Sequence, residues 1–116
     1  FNIKSMCIRI GTCLKVPKDK RHLSTWISYR DLTQLVDIGI KHKTIHHEIV
    51  YGVSKNKKSW WNNVNAYHLG YKPKDSADRF NTYLLSKNEY KDKTALLFQG
   101  GVFTSANFKG DTKNIK

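Results

Sequence analysis

Acidic residues are scarce in this chain: nine stand against 21 lysines and arginines, a formal net charge of +12 in 116 residues. Cysteine is scarcer still, with Cys7 and Cys13 alone. A small extracellular domain commonly carries several paired cysteines, so a disulfide scaffold is not expected. Cys13 is expected beyond the end of the strand that holds Cys7, which favours two reduced thiols in a cytoplasmic protein. Long apolar runs are missing too: none approaches the roughly 20 residues of a membrane-spanning helix, and the mean hydropathy is −0.61. The opening residues, FNIKSMCIRI, have neither the apolar stretch nor the small-residue cleavage site of a signal peptide. The chain begins at Phe1 rather than at Met, as a processed or excised piece does.

What is present is enough for one modest core and too little for two ordinary domains. The hydrophobic fraction of 39% and three tryptophans exclude a fully disordered polymer. The positive charge is carried mostly by lysine, spread from Lys4 to Lys116 with short clusters at Lys15–Lys20 and Lys55–Lys58. Aromatics are not interleaved with arginine as a single-strand binding platform requires. A solvated lysine-rich face is therefore the expected outcome. The alternative is a non-catalytic basic protein, a truncated or decayed gene product that binds nucleic acid or a partner chain. Steeply salt-dependent DNA binding is its signature.

Along the chain, residues 2–10 read as a strand, with Ile3, Met6, Ile8 and Ile10 apolar, as in a strand covered on both faces of an α/β sheet. Gly11-Thr12-Cys13 breaks it, and residues 14–25, with Pro17, read as a loop where ligands of α/β sheets usually sit. Ser28 and Asp31 fit a capping box opening a helix whose apolar face is Leu32, Leu35, Val36 and Ile40, ended by Gly39 and the run 41–43. Residues 46–54 are a second strand, and Asn65–Leu69 a short helix stopped by Gly70. A third helix follows Pro73, with Asp75 as its cap and Ala77, Phe80, Tyr83 and Leu84 on its apolar face. Residues 86–94 are a charged linker, and 94–103 an extension turning at Gly100-Gly101. Two strands are too few for a parallel sheet, so the chain reads as an incomplete part of an α/β domain.

Several constellations could carry chemistry. Tyr51 and Lys55 have the Tyr-x-x-x-Lys spacing of a phenol general acid/base beside an ammonium. That pairing needs a helix, where i and i+4 share a face; on a strand the two stand about 13 Å apart, and the match is read as a decoy. His22, His46, His47 and His68 show no zinc-ligand spacing. Trp60-Trp61 could stack on a sugar, against the plainer reading of one core and one half-exposed ring. Thr12, Arg21 and Ser24 carry more. A hydroxyl just past a strand end and an arginine in the next loop suit an anionic, hydroxylated ligand, since Arg grips a carboxylate with two parallel hydrogen bonds.

The stretches CIRIGTC, RHLSTWISYRDL, IVYGVSKNKKSWWNN, HLGYKPKDSADRF and FQGGVF, in this order and spacing, resemble bacterial uronate dehydrogenases of the extended NAD-dependent epimerase/dehydratase group of short-chain dehydrogenases. The resemblance runs from Ile8 to Phe108, and Leu23-Ser24-Thr25-Trp26 and the double Trp before Asn62-Asn63 make it specific. It implies the C-terminal portion of a Rossmann-like doubly wound sheet, incomplete on its own. Residues 1–86 would be the substrate-binding part and 87–116 a linker and extension.

The function implied is NAD-dependent oxidation of a hexuronate, glucuronate or galacturonate, to an aldarolactone. Thr12 matches a position that contacts substrate hydroxyls, and Arg21 the arginine that pairs with the uronate carboxylate. Phe103 matches an aromatic that approaches the pocket, of its own or a neighbouring subunit. Ile10, Gly11 and Cys13 match the segment along the nicotinamide end of the cofactor. The Gly-rich turn, catalytic Ser and Tyr-x-x-x-Lys helix of such enzymes lie N-terminal to this region. The chain alone is therefore expected to be inactive and to need that dinucleotide-binding half, in a parent that is a cytoplasmic homo-oligomer. No metal site, membrane contact or nucleic-acid partner is implied.

Overall fold

The structure is a computed structural model and describes residues 2–86, 92–98, 100–106, 109–111 and 113. In chain order it holds strands β1 (Ser5–Ile10) and β2 (Thr12–Cys13), helix α1 (His22–Thr25), strand β3 (Trp26–Ile27), helix α2 (Tyr29–Lys41) and strand β4 (His47–Gly52). Helix α3 (Val64–His68), a 3-10 turn at Ala77–Phe80, and helices α4 (Asn81–Leu85), α5 (Lys93–Leu97) and α6 (Val102–Ser105) follow.

β1 and β4 pair in parallel, Ser5 opposite His47 and Ile10 opposite Gly52. Parallel neighbours need a crossover, and α2 lies within it. Alternation sends Met6, Ile8 and Val50 toward a core of Ile27, Leu35, Ala66 and Tyr71, and turns Ser5, Cys7 and Arg9 outward. The expectation of a strand covered on both faces is thus corrected: Cys7 is exposed and Ile49 beside it partly so.

Gly11 interrupts the strand without ending it. Its N–H donates to the Gly52 carbonyl at 3.1 Å, and the chain resumes as β2, paired in parallel with β3. A Cβ on Gly11 would stand 2.1 Å from the Thr25 carbonyl oxygen; only glycine permits this approach of two backbones. The stretch 14–25, expected as loop, contains α1. Its Leu23, with Trp26, Ala77 and Leu84, forms a second core cluster flanked by Leu14 and Phe80. The Trp26 indole N–H donates to the Leu14 carbonyl at 2.8 Å, so its one polar atom is satisfied.

Helix α2 starts as expected: the Ser28 hydroxyl accepts from the Asp31 N–H at 3.1 Å. The other half of the capping box is replaced. The Ser28 N–H donates to Ser54 Oγ at 3.1 Å, while the buried Asp31 carboxylate accepts from the Ser54 hydroxyl at 2.6 Å. It also accepts from the backbone N–H of Lys74 at 2.8 Å and of Asp75 at 3.1 Å. Asp31 therefore joins the start of α2 to two distant loops. Because Asp31, Leu35 and Gly39 share the inward stripe, the helix is rotated from the expected face. Leu32, Leu35 and Ile38 pack inward, whereas Val36 is partly exposed and Ile40 is 78% exposed. Gly39 lies inside α2, not at its end, and a Cβ there would come within 2.7 Å of Met6 Cε on β1.

α3 ends at Gly70, whose φ of +96° is left-handed. The next cap is Ser76, which accepts from the Asp78 N–H, rather than Asp75. Asp75 instead pairs side-on with Arg30, at 2.8 and 3.2 Å. Of the expected apolar face there, Ala77 and Leu84 are buried and Tyr83 is exposed. Most of the charged linker lies outside the described residues. Beyond it the extension is two short helices, α5 capped by Asp92 and α6 entered through Gly101 at φ +58°.

Candidate functional site

The end of β1, the loop into α1 and the α5–α6 turn line a half-open cavity of about 470 Å³, within the roughly 300–1,000 Å³ range of small-molecule sites. Ile10, Gly11 and Thr12 form one wall, Asp19, Arg21 and His22 a second, and Gly100 to Phe103 a third. Carboxyl ends of strands are where α/β folds place ligands.

Five of the six residues that the family resemblance assigns to the site meet here: Ile10, Gly11, Thr12, Arg21 and Phe103. Cys13, the sixth, is not on the cavity wall; alternation along β2 turns it onto the core, and burial pushes its thiol above the ordinary range. The Thr12 hydroxyl shares a 3.0 Å hydrogen bond with that of Thr25. Phe103 is 88% exposed and belongs to the same chain's cavity. Ser24 lies on α1 away from the lining, its carbonyl facing the Asn56 amide at 3.4 Å.

Arg21 reaches across the cavity. Its Nε donates to the Ala95 carbonyl and its Nη2 to the Phe98 carbonyl, each at 3.0 Å. The terminal helical pair is thereby tied to the wall it faces.

Asp19 and His22 were not found from sequence. Asp19 Oδ1 accepts the His22 N–H at 3.0 Å, and His22 Nδ1 accepts the Lys18 N–H at 2.9 Å. That second bond leaves the ring proton on Nε2, 3.4 Å from Asp19 Oδ2. Burial lowers the imidazole's pKa against the pull of Asp19. The crowded polar run PKDKRH after a strand was the available signal, but it does not say which members face inward.

Tyr51 and Lys55 do not share a helix. Tyr51 lies on β4 and stacks on Trp61, ring centroids 5.3 Å apart and planes 6° from parallel, while the Asn63 amide takes its backbone N–H and carbonyl at 2.9 and 2.8 Å. Asn63 thus stands in for a neighbouring strand. Neither ring of the Trp pair is buried: Trp60 is 49% exposed and Trp61 half-buried, and the tryptophan in the core is Trp26. Among the described residues no three His, Cys, Asp or Glu side chains are grouped to hold a metal, and no helix is long and apolar enough to cross a membrane.

No family model matches the chain. A uronate dehydrogenase of Pseudomonas putida is 40% identical over 107 residues, covering 91% of this chain and 40% of that protein. The crystal structure of glucuronic acid dehydrogenase from Chromohalobacter salexigens superposes with a TM-score of 0.83 at 34% identity, over 90% of this chain and 40% of that one. A mutant of uronate dehydrogenase from Agrobacterium tumefaciens, complexed with NAD, superposes at 0.78 with 33% identity, over 86% and 38%. The chain is thus part of a dehydrogenase-type α/β fold. More narrowly, it is similar to uronate dehydrogenases over nearly its whole length and resembles their C-terminal part. It spans about two-fifths of the length of the curated relatives it matches.

Proposed function

We propose that the chain is the substrate-binding end of an NAD-dependent oxidoreductase that oxidises a hexuronate, glucuronate or galacturonate, to its aldarolactone. One observation carries the reading: Thr12 and Arg21, a hydroxyl and a cation suited to a sugar acid, line one cavity with the apolar end of β1. Arg21 holds the carboxylate through charge-assisted hydrogen bonds, Thr12 meets sugar hydroxyls, and Phe103 closes the outer side. Fixing the acid end orients the anomeric carbon, and orientation is a large share of what a protein adds to a cofactor's chemistry.

The residues fit one end of NAD. Ile10, 47% exposed at the carboxyl end of β1, presents an apolar surface beside Gly11, suited to the nicotinamide, with Cys13 backing Thr12 from the core. When bound, that ring accepts the hydride. The sequence has no Gly-x-Gly-x-x-Gly turn for the phosphates, and its Tyr51 and Lys55 are not placed as an acid/base pair. Those functions fall to an N-terminal half, whose docking the open face of the β1–β4 pair suits. Residues 1–86 form the body of the substrate part and 87–116 a linker and extension, in a homo-oligomeric cytoplasmic enzyme. The comparisons lend nothing to nucleic-acid binding.

The test is titration of the purified chain with glucuronate and with glucose. Glucuronate is expected to bind on the order of tenfold or more tighter, the worth of one charge-assisted contact, and Arg21→Ala is expected to abolish the difference. Equal binding of the two sugars contradicts the reading.

A further inference from the structure

We propose that the α5–α6 segment is a positioning strap for Arg21, and that Gly101 is the residue that lets it act. This deepens the hexuronate reading and rests on it only for its consequence in binding.

The strap fixes the guanidinium in two ways. The carbonyls of Ala95 and Phe98 take the Nε and Nη2 protons, each at 3.0 Å, from residues 74 and 77 positions along the chain. Gly101 covers the flat of the group: a Cβ there would lie 3.0 Å from Cζ, 3.2 Å from Nη1 and 3.3 Å from Nε. Gly101 is buried, and its φ of +58° with ψ of −132° is a backbone state open essentially to glycine alone. Any side chain at 101 would both strain the turn and push the guanidinium out of its seat.

The strap is built as a unit. Asp92 Oδ1 caps α5 through the Ala95 N–H at 2.9 Å, the same residue whose carbonyl holds Arg21. The other Asp92 oxygen accepts the Ser105 hydroxyl on α6, and the Thr104 hydroxyl returns to the Gly101 carbonyl at 2.6 Å. The Ser105 hydroxyl first, and then the Ala95 N–H, hold Asp92's carboxyl below the usual carboxylate range. Gly101, which lies against the guanidinium, is also part of the third wall of the cavity, so the cation and that wall move together. A long arginine side chain loses rotamer freedom when it grips a ligand; one already seated loses less.

The experiment is nitrogen-15 NMR of the whole chain, following the Arg21 Nε–H resonance in wild type, Gly101→Ala and Asp92→Ala, with Arg21→Lys to assign it. Backbone amides of residues 2–86 report whether each variant keeps its body. In wild type the Nε–H is expected to exchange slowly with water, and both variants are expected to lose that protection with the body's amides in place. Titration of the same samples is expected to show glucuronate weakened on the order of tenfold, one charge-assisted contact's worth, with glucose unchanged. A wild-type Nε–H that exchanges as freely as an exposed arginine overturns the strap. So does a protected Nε–H, or a full preference for glucuronate, that survives both variants. If wild type takes up no glucuronate, the hexuronate reading fails while the exchange data still decide the strap.

Discussion

Asp31 and Arg21 each tie distant segments of this chain together, in opposite settings. Asp31 is an anion sunk in the body, met by the Ser54 hydroxyl and the N–H groups of Lys74 and Asp75. It sits in the first turn of α2, where the helix dipole favours negative charge. Arg21 is a half-buried cation at a cavity wall, donating to carbonyls of a short terminal segment. The first knot is closed on itself and joins elements that already pack together. The second faces the cavity and joins segments 74 and 77 residues apart along the chain. A buried charge with its partners supplied by the fold serves stability; a charge seated at the rim of a cavity is placed to meet a ligand.

The largest way to break that contrast is Asp31→Ala. Three donors lose their acceptor, the Ser54 hydroxyl buried and the Lys74 and Asp75 N–H groups part-buried, and a loss of about 3 kcal/mol in urea unfolding is expected, as for removing the charged partner of several hydrogen bonds. A loss below about 1 kcal/mol would mean the loops at Ser54 and Lys74 are held by something else. Arg21→Lys is expected to cost far less, about 1 kcal/mol or under, as for part-exposed polar contacts, while weakening the preference for an acidic sugar, because the ammonium keeps the charge and loses the paired hydrogen bonds. A cost as large as that of Asp31→Ala would erase the distinction between the knots.

A smaller test uses pH. The Asp75 carboxyl is held below its ordinary pKa by the Ser28 hydroxyl first, and then by the Arg30 guanidinium. A lowered folded-state value stabilises the fold above the unfolded carboxylate pKa of about 3.9, and that stability is lost as pH falls through the folded value. Asp75→Asn is therefore expected to flatten the acid side of the stability curve below about pH 4 and leave the alkaline side unchanged. An unchanged acid limb would remove Asp75 from the body's electrostatics.

Elements with a strong local signal were legible in the sequence: β1 and β4 from their β-branched runs, the start of α2 from Ser28, and the stop of α3 from Gly70. β2 and β3 are two residues each and α1 is four, too short for any periodicity to register. The rotation of α2 was hidden because its buried stripe includes a charged residue, Asp31, and a glycine, Gly39, neither of which reads as apolar. Ser54 stands 26 residues from Ser28, so no local pattern could show it completing the cap. The site was legible in kind more than in detail. Thr12 and Arg21 stood out as a hydroxyl and a cation after a strand, whereas Asp19 and His22 required knowing how α1 turns back. The tie between Arg21 and the terminal helices was out of reach, because its acceptors are backbone carbonyls that any residue supplies.

The most direct test of the central claim joins this chain to the N-terminal three-fifths of the Pseudomonas putida uronate dehydrogenase and follows NADH with glucuronate and NAD supplied. The account predicts steady NADH from the joined protein, its loss on Arg21→Ala, and none from the 116-residue chain alone. Steady NADH from the chain alone, or a folded joined protein that makes none, would contradict it.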